Sequence, residues 1–461
     1  MDKFLLNYQL ETYRKNLMEQ YHKELLEIVP GISFDDAQKI FDKTISFRQS
    51  NVSSSGKIFE DYVQGMIGEY TKNYHPQYRI GNYVVDFMLG NPEDDISKQI
   101  LISSKLTCRE RYKQDSGLLS MKPKAYFLIV GSEDYPRNFV DNEFQKMFVI
   151  SNRKGDKRLT FEDFENTLFG IFHKITFVDL CCGIGSFHYS LKNVHSNSEC
   201  VLANDILKCA RETYKTNYQM EPSQDIRDTD YSKITAEIVF SGNPCQSFSQ
   251  IGKRDGLEDS RGDLFNYIIE NVLGTRSFKI AVFENVEGLL THDSGKTFSK
   301  IIKGIESKGY SVLYRKLLCS EFGIPQNRKR VFIICFRDDL EHDEETLNRI
   351  IEKHRKRITL SEYLEKDFVR DTAFTIRCGG ASSPIDSKQN WDGYYLKNGE
   401  EYRLTIDDMK KLQGFPNDFQ LIGSKTECQR MLGNTIPTNL SKIVCEYVTE
   451  MLRLEMLIKI V

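Results

Sequence analysis

The chain has 461 residues, of which 40% are hydrophobic and 28% are charged. This length exceeds one ordinary hydrophobic core and predicts two or three domains. The net charge of −3 excludes a strongly basic protein, so nucleic-acid binding would depend on local patches such as KHRKR at 353–357. No apolar run approaches the roughly 20 residues of a membrane-spanning helix, and charges interrupt the first apolar residues, unlike in a signal peptide. Eleven irregularly spaced cysteines argue against a disulfide framework or a metal site and favour the reducing cytoplasm.

The first third of the chain combines helix-like segments with a pair of strand-like segments. Residues 1–50 and 56–74 place charged residues among apolar ones at spacings that predict amphipathic helices. The next stretch, YRIGNYVVDFMLGNPEDDISKQILISSKLT, has two apolar runs around a polar turn and predicts a β-hairpin. A polar, charged segment around residues 151–170 predicts a domain boundary near residues 170–175.

From residue 174 onward, short apolar runs alternate with helix-like stretches. The strand candidates are ITFVDL, CVLAND, AEIVFSG, IAVFENV and RVFIICF. This alternation predicts an α/β fold with a mostly parallel sheet and helices on both of its faces. Residues 340–370 are polar and helix-like, and the final segment TNLSKIVCEYVTEMLRLEMLIKI predicts one long helix.

A glycine turn follows the first of these strands, in FVDLCCGIGSF. Gly183 and Gly185 would let the backbone approach a ligand where a helix begins, although such glycines also occur for purely structural reasons. Asp205 ends the next strand and is placed to hold two ribose hydroxyls. The third glycine of a dinucleotide fingerprint is absent. We therefore expect a nucleoside with a compact tail, which S-adenosylmethionine fits, and disfavour a nicotinamide dehydrogenase.

Cys245 directly follows the strand-like run AEIVFSGNP. Ligands bind at this edge of an open α/β sheet, and a cysteine near a helix N-terminus can have a lowered thiol pKa. Taken alone, such a residue is more often a small buried apolar side chain. The polar, glycine-containing stretch QSFSQIGKRDGLEDSRGDLF that follows favours the other interpretation, a nucleophile covered by a closing loop.

Two further groups of polar residues stand at strand ends. Glu284 and Asn285 end IAVFENV, where a carboxyl group could donate a proton to a ring nitrogen, or could simply begin a helix. Gln326, Arg328 and Arg330 alternate just before RVFIICF. Because alternate residues of an extended segment share a face, we expect these three side chains to converge on a base or a phosphate. A surface strand with alternating charge would look similar.

These motifs, in this order, resemble those of the DNA (cytosine-5)-methyltransferases. The resemblance runs from about Phe177 to Val444 and rests on DLCCGIGSF, NPCQSFS, FENV, PQNRKRVFI, YRLTIDDMKKLQGFP and MLGNTIPTNL. Two departures stand out. Cys181 replaces the usual phenylalanine of the first motif, and Asn243 precedes Pro244 where an aromatic residue or a proline is common.

The resemblance implies a covalent mechanism on a cytosine that is flipped out of duplex DNA. The thiolate of Cys245 would attack C6, Glu284 would engage N3, and C5 would take the methyl group of S-adenosylmethionine. The implied catalytic residues are Cys245, Gln246, Glu284, Arg328 and Arg330. The implied cofactor contacts are Asp179, Gly183, Gly185, Asp205, Ile206, Asp225, Leu264 and Asn434.

The region that would recognise the DNA target is short. The resemblance places it between the Gln-x-Arg-x-Arg strand and YRLTIDDMKKLQGFP, and much of that interval is charged and helix-like. Candidate DNA contacts are Gln326, Arg377 and Trp391. We expect the N-terminal domain or a partner to assist in recognition.

The N-terminal hairpin offers a second candidate site. Asp86 ends one strand and Lys105 ends its partner, a layout that resembles PD-(D/E)xK nucleases of the EcoRII-like type. Their acidic groups hold Mg²⁺ and the lysine helps to activate water, so Asp86 is a candidate metal ligand. Ser103 occupies the usual position of the second acid, and Glu60, Glu110 or Asp115 could replace it. The alternative is a domain that only binds DNA.

We therefore expect a restriction–modification methyltransferase that acts on double-stranded DNA in the cytoplasm. The expected parts are a nuclease-like or DNA-recognition domain (1–172), a catalytic domain (173–340), a small target-recognition region (341–425) and a C-terminal helix that returns to the catalytic domain (426–461). The alternatives are an RNA cytosine-5 methyltransferase and a non-catalytic DNA-binding protein.

Overall fold

The computed structural model describes residues 52–105, 116–131, 141–142, 144–149, 159–243, 262–378, 394–398 and 400–458. The chain divides into two compact units between His173 and Lys174. The predicted helices within residues 1–50 lie outside the described residues. Cys245, Gln246 and the expected closing loop, Trp391, and the acids Glu110 and Asp115 also lie outside them.

The N-terminal unit is built on a six-stranded mixed sheet. Its elements are α1 (Val52–Tyr70), β1 (Tyr74–Ile80), β2 (Tyr83–Leu89), β3 (Ile100–Lys105), α2 (Ser116–Ser120), β4 (Ala125–Val130), β5 (Gln145–Val149), β6 (Leu159–Thr160) and α3 (Phe161–Phe172). The strands lie in the order β1-β2-β3-β4-β5-β6. The first three are antiparallel to one another, and β3 to β6 are parallel.

Both faces of this sheet are covered, because successive strand residues point to opposite sides. On one face, Phe87 and Ile102 pack with Phe164 of α3 in one apolar cluster. On the other face, Met88 and Leu101 belong to a second cluster. The predicted hairpin is confirmed as the antiparallel pair β2·β3, and β1 extends it by a further antiparallel strand.

The C-terminal unit contains a second six-stranded sheet. Its elements begin with β7 (Ile175–Leu180), α4 (Ser186–Val194), β8 (Ser198–Ala203), α5 (Lys208–Tyr218), β9 (Ile238–Ser241), α6 (Gly262–Tyr267), β10 (Ile280–Val286), α7 (Lys296–Glu306), β11 (Tyr310–Leu318) and β12 (Lys329–Arg337). The strand order is β11-β12-β10-β9-β7-β8. The neighbours β10·β9, β9·β7 and β7·β8 are parallel, as the alternating pattern predicts.

The edge formed by β11 and β12 differs from that prediction. The run RVFIICF is β12, and it is antiparallel to both β10 and β11. Residues 319–328 join β11 to β12 without a crossover α-helix, and a parallel pair needs a longer crossover connection. We did not predict β11 itself, because its half-exposed, charged sequence YSVLYRKLL lacks the apolar run of a buried strand.

The remaining elements of this unit follow β12 in the chain. They are α8 (Glu344–His354), α9 (Leu360–Leu364), β13 (Tyr394–Lys397), β14 (Glu400–Arg403), α10 (Ile406–Leu412), α11 (Lys425–Asn434) and α12 (Thr438–Ile458). The long helix α12 packs against α4, where Ser441 Oγ lies 2.7 Å from Ser190 Oγ. Among the helices in the described ranges, none combines the length and apolar character needed to cross a bilayer.

Candidate active site

A cavity of about 380 Å³ lies at the carboxyl ends of the parallel strands of the C-terminal unit. Its walls come from the turn after β7, the residues that follow β8 and β9, the end of β10, and α11. Ligands of open α/β sheets bind at this edge, outside the carboxyl ends of the strands. The volume falls within the roughly 300–1,000 Å³ of small-molecule sites.

The conformation of the turn after β7 is fixed by its glycine backbone and by hydrogen bonds. Gly183 and Gly185 have φ of 55° and 83°, in the left-handed region that favours glycine. A Cβ on Gly185 would lie 2.3 Å from a ring carbon of Tyr218, whereas a Cβ on Gly183 would meet nothing within 4 Å. The Gly183 N–H donates to Asp205 Oδ2 at 2.9 Å. The turn is therefore tied directly to the carboxylate after β8.

Asp205 is a buried carboxyl group on the wall of the cavity. Its other oxygen accepts a hydrogen bond from the Leu207 N–H at 2.8 Å. Burial raises the pKa of Asp205, while the N–H groups of Leu207 and Gly183 and the charge of Arg211 act against that rise. These hydrogen bonds fix the direction of the carboxyl group, which is the arrangement needed to accept from ribose hydroxyls.

Asp179 occupies a different environment from Asp205. It is 1% exposed, and its Oδ2 accepts from the Tyr214 hydroxyl at 3.4 Å. Among the described residues, its Oδ1 has no hydrogen-bond partner, and burial raises its pKa well above the usual value. Asp179 and Gly185 do not line the cavity. The other predicted cofactor residues do line it, namely Gly183, Asp205, Ile206, Asp225, Leu264 and Asn434.

Glu284 and Arg330 form a buried ion pair at the same cavity. Glu284 Oε1 lies 2.6 Å from Arg330 Nε, and the two side chains are 9% and 10% exposed. The pair joins neighbouring antiparallel strands, since Glu284 is on β10 and Arg330 is on β12. Burial raises the pKa of Glu284, while the charges of Arg330 and Arg328 hold that rise back. The arrangement combines a carboxyl group that accepts a proton readily with a fixed cation beside it.

Arg328 and Arg330, two residues apart, both line the cavity, whereas Gln326 does not. Only Arg330 belongs to β12, which begins at Lys329. Arg328 lines the cavity, but its guanidinium donates to the carbonyls of Ile376, Gly433 and Thr435, at 2.9, 2.9 and 2.7 Å. These contacts join three segments around the cavity.

Gln326, a candidate DNA contact, is fully buried. Its Nε2 donates to the Leu412 carbonyl at 2.7 Å, and its Oε1 accepts from the Ile376 N–H at 3.1 Å. Arg377, another candidate, is half-buried and follows Ile376 in the chain. A Cβ on Gly433 would lie 2.5 Å from the carbonyl carbon of Arg377, so the candidate recognition segment passes close to α11.

Several cavity residues escaped the sequence analysis. They are Asn204, Arg227, Asn243 and Arg430. Arg430 stands four residues before Asn434 on α11, so helical spacing could have placed it on the same face. Asn243 was recognised as a departure from the family pattern but received no role. It lines the cavity and stands two residues before Cys245 in the sequence.

In the N-terminal unit, Asp86 and Lys105 meet across β2 and β3. Lys105 Nζ lies 2.7 Å from Asp86 Oδ2, which also accepts from the Ser104 N–H at 2.7 Å. Glu60 accepts instead from Gln77 Nε2. Within the described ranges, no group of three or more acidic, histidine or cysteine side chains could hold a metal ion.

Comparison with known proteins identifies the C-terminal unit. A family model of the C-5 cytosine-specific DNA methylases matches residues 175–377 and 368–450. The type II methyltransferase M.BsuFI of Bacillus subtilis is 29% identical over 384 residues, which cover 77% of this chain and 93% of the relative. M.MspI of Moraxella sp is 28% identical over 357 residues, covering 73% and 81%. M.NgoBI of Neisseria gonorrhoeae is 31% identical over 290 residues, covering 56% and 88%. Because the family model spans more than half of the residues, the chain belongs to the C-5 cytosine-specific DNA methylases.

Proposed function

We propose that this DNA (cytosine-5)-methyltransferase acts at a specific site in duplex DNA and uses the cavity for both the cofactor and the flipped cytosine. The observation that carries this proposal is a single cavity lined by Asp205 and Asp225, which suit a nucleoside, and by the Glu284–Arg330 pair, which suits a pyrimidine ring. The type II names of the relatives favour a place in a restriction–modification system.

S-adenosylmethionine fits the residues that line the cavity. Asp205 presents an oriented carboxyl group for ribose hydroxyls, and Asp225 presents a second acceptor for the adenine amine. Ile206 is 70% exposed and lies on the cavity wall, where it would cover a face of the adenine ring. When bound, the cofactor supplies an electrophilic methyl group on a sulfonium sulfur.

The protein must make the cytosine nucleophilic at C5. The Cys245 thiolate forms a bond to C6, and the electron pair of the C5–C6 double bond moves toward C5. Glu284 donates a proton to N3 as negative charge develops in the ring, a role that its raised pKa favours. Arg330 fixes the carboxyl group of Glu284 and holds the pyrimidine oxygen O2. After methyl transfer, a base removes the C5 proton, the C5–C6 double bond re-forms as the thiolate leaves, and N3 returns its proton to Glu284.

The target cytosine must leave the duplex to reach this cavity, because stacking and pairing hide C6 inside a helix. We propose that Arg377, and Trp391 on the basis of the sequence alone, contribute to recognition of the surrounding bases. Arg328 acts indirectly, because its guanidinium holds the carbonyls of Ile376, Gly433 and Thr435 around the cavity. The enzyme would work in the cytoplasm, where duplex DNA is accessible and thiols stay reduced.

The test is transfer of labelled methyl groups to duplex DNA and, separately, to tRNA. We expect label in DNA from the wild-type protein, a complete loss in Cys245→Ser, and no loss in the matched control Cys209→Ser, whose cysteine does not line the cavity. A duplex with 5-fluorocytosine at the target should trap a covalent adduct. Label in tRNA alone, or wild-type protein without any adduct, would overturn the proposal. Bisulfite sequencing of DNA from an expressing host would identify the target site.

We also propose that the N-terminal unit carries a nuclease-like site built on Asp86 and Lys105. The supporting observation is their 2.7 Å contact across adjacent strands. The described residues supply one carboxylate there and no cluster fit to hold Mg²⁺, so metal-dependent cleavage remains a prediction from sequence. Cleavage should require added Mg²⁺ and disappear in Asp86→Ala and in Lys105→Ala, but persist in the control Asp95→Ala. Undiminished cutting in both site variants would refute the assignment.

A further inference from the structure

Asn243 has a side-chain amide whose two ends differ in their hydrogen bonding. It is 4% exposed and lines the cavity beside Gly242. Its Oδ1 accepts a hydrogen bond from the Ser241 hydroxyl. Within the described parts of the chain, its Nδ2 is buried without a partner. Because an unpaired buried donor is costly, a bound ligand that accepts from this nitrogen would be favoured.

The flipped cytosine is a poor acceptor for the Asn243 amide. In the proposed mechanism, Glu284 engages N3 and Arg330 holds O2. The remaining polar group of the base is its N4 amine, which is itself a donor. The hydroxyls and the amine of the nucleoside would donate to the carboxylates of Asp205 and Asp225, and its uncharged adenine ring nitrogens are weaker acceptors than a carboxylate.

The amino-acid tail of the cofactor carries a carboxylate, which is a strong acceptor. The cations on the cavity wall already face other groups. Arg330 pairs with Glu284, Arg227 lies 3.5 Å from Asp225, Arg328 bonds to backbone carbonyls, and the charge of Arg430 acts on Asp205. An amide N–H is thus a suitable group for the carboxylate at this place, and a hydrogen bond to a charged acceptor is stronger than one to a neutral acceptor.

We propose that Asn243 donates its Nδ2 hydrogens to the carboxylate of the methionine tail of S-adenosylmethionine. Ser241 sets the orientation of the amide by occupying its oxygen. Asn243 is a positioning residue for the transferred methyl group, since holding the tail fixes the sulfonium centre beside the target base. The inference rests on the proposed function, because it requires the cofactor to bind in this cavity.

The experiment is calorimetric titration of the full chain with two ligands. One is S-adenosylhomocysteine, which has the carboxylate, and the other is 5′-methylthioadenosine, which lacks the amino-acid tail. For Asn243→Ala we expect affinity for S-adenosylhomocysteine to fall about ten- to hundredfold, the usual range for a hydrogen bond to a charged group. Affinity for methylthioadenosine should stay within about twofold, because that ligand makes no contact with Asn243.

Asn243→Asp keeps the size of the side chain and guards against misfolding of the alanine variant. At pH 8 its negative charge should weaken S-adenosylhomocysteine binding more than alanine does, again without weakening methylthioadenosine binding. Equal losses for both ligands, or no loss for S-adenosylhomocysteine, would overturn the inference while leaving the proposed function intact. A wild-type chain that bound neither ligand would overturn both. The exposed residue Asn193 provides a control, as Asn193→Ala should bind both ligands like the wild type.

Discussion

The buried pair of Glu284 and Arg330 allows a sharp test through the replacement Arg330→Met. This variant removes the guanidinium nitrogen that lies 2.6 Å from the Glu284 carboxylate, at a place where both side chains are about nine-tenths buried. Removing one partner of a buried pair typically costs about 3–5 kcal/mol, because the other charge is left uncompensated. Arg328 also favours the charged carboxyl group, so we expect a loss near the lower end, about 3 kcal/mol at pH 8.

The loss should depend on pH in a defined direction. Burial raises the pKa of Glu284 in the folded protein, and removal of Arg330 raises it further. A carboxyl group with a raised folded-state pKa holds its proton more tightly when folded, so the folded state loses stability as pH rises above the unfolded value of about 4.3. At pH 5 the carboxylate of Glu284 can take up a proton in the variant, so that no uncompensated charge is buried. The stability difference from wild type should then shrink to about 1 kcal/mol.

Urea unfolding at pH 5 and at pH 8 measures the loss of unfolding free energy in Arg330→Met at each pH. The double variant Glu284→Gln/Arg330→Met should recover much of the loss at pH 8, since it contains no buried charge. Arg315→Met is the matched surface control. Its pair with Glu344 is more exposed and should cost about 1 kcal/mol or less. The reasoning fails if Arg330→Met loses the same free energy at both pH values and the double variant recovers none of it.

Two further predictions concern the cofactor turn and acid stability. Gly185→Ala should lower the free energy of unfolding by about 3 kcal/mol or more, because its Cβ would overlap a tyrosine ring and its φ is left-handed. Gly183→Ala should lower it by only about 1–2 kcal/mol, from the backbone conformation alone. Equal losses in urea unfolding would contradict this prediction. Burial acts to raise the pKa of Glu446, but the hydrogen bonds and charges of His354 and Lys353 together outweigh it and the pKa falls to about 2. The resulting stabilisation, up to about 3 kcal/mol, is complete above the unfolded pKa of about 4.3 and is lost as pH falls toward 2. Acid titration of Glu446→Gln should show a flatter curve over that window, and an unchanged curve would refute the assignment.

Local patterns in the sequence predicted a large part of the C-terminal fold. Each apolar run between helix-like stretches forms a strand, because a strand covered on both faces must be apolar throughout. Alternate spacing is consistent with the place of Arg328 and Arg330 at one cavity, but Gln326 does not line it. The hydrogen bonds of Gln326 and Arg328 go to backbone carbonyls of residues 376, 412, 433 and 435. Contacts so distant in sequence leave no local pattern.

The acids near the strand ends show that the sequence alone does not reveal which of them will line the cavity. That depends on how the strands pair in the sheet. Asp179 and Glu284 both stand inside apolar strands, yet only Glu284 lines the cavity. Asp179 is paired on both sides, with Phe240 of β9 and Ala203 of β8, so its side chain stays in the packed layer. The pairing of β10 with β9 ends one residue before Glu284, at Phe283, and Asp205 lies two residues beyond Ala203, the last residue of β8. An acid reaches the cavity where the neighbouring parallel strand has already ended. The sequence shows where a strand itself stops, but the end of its neighbour alongside it is a property of the assembled sheet.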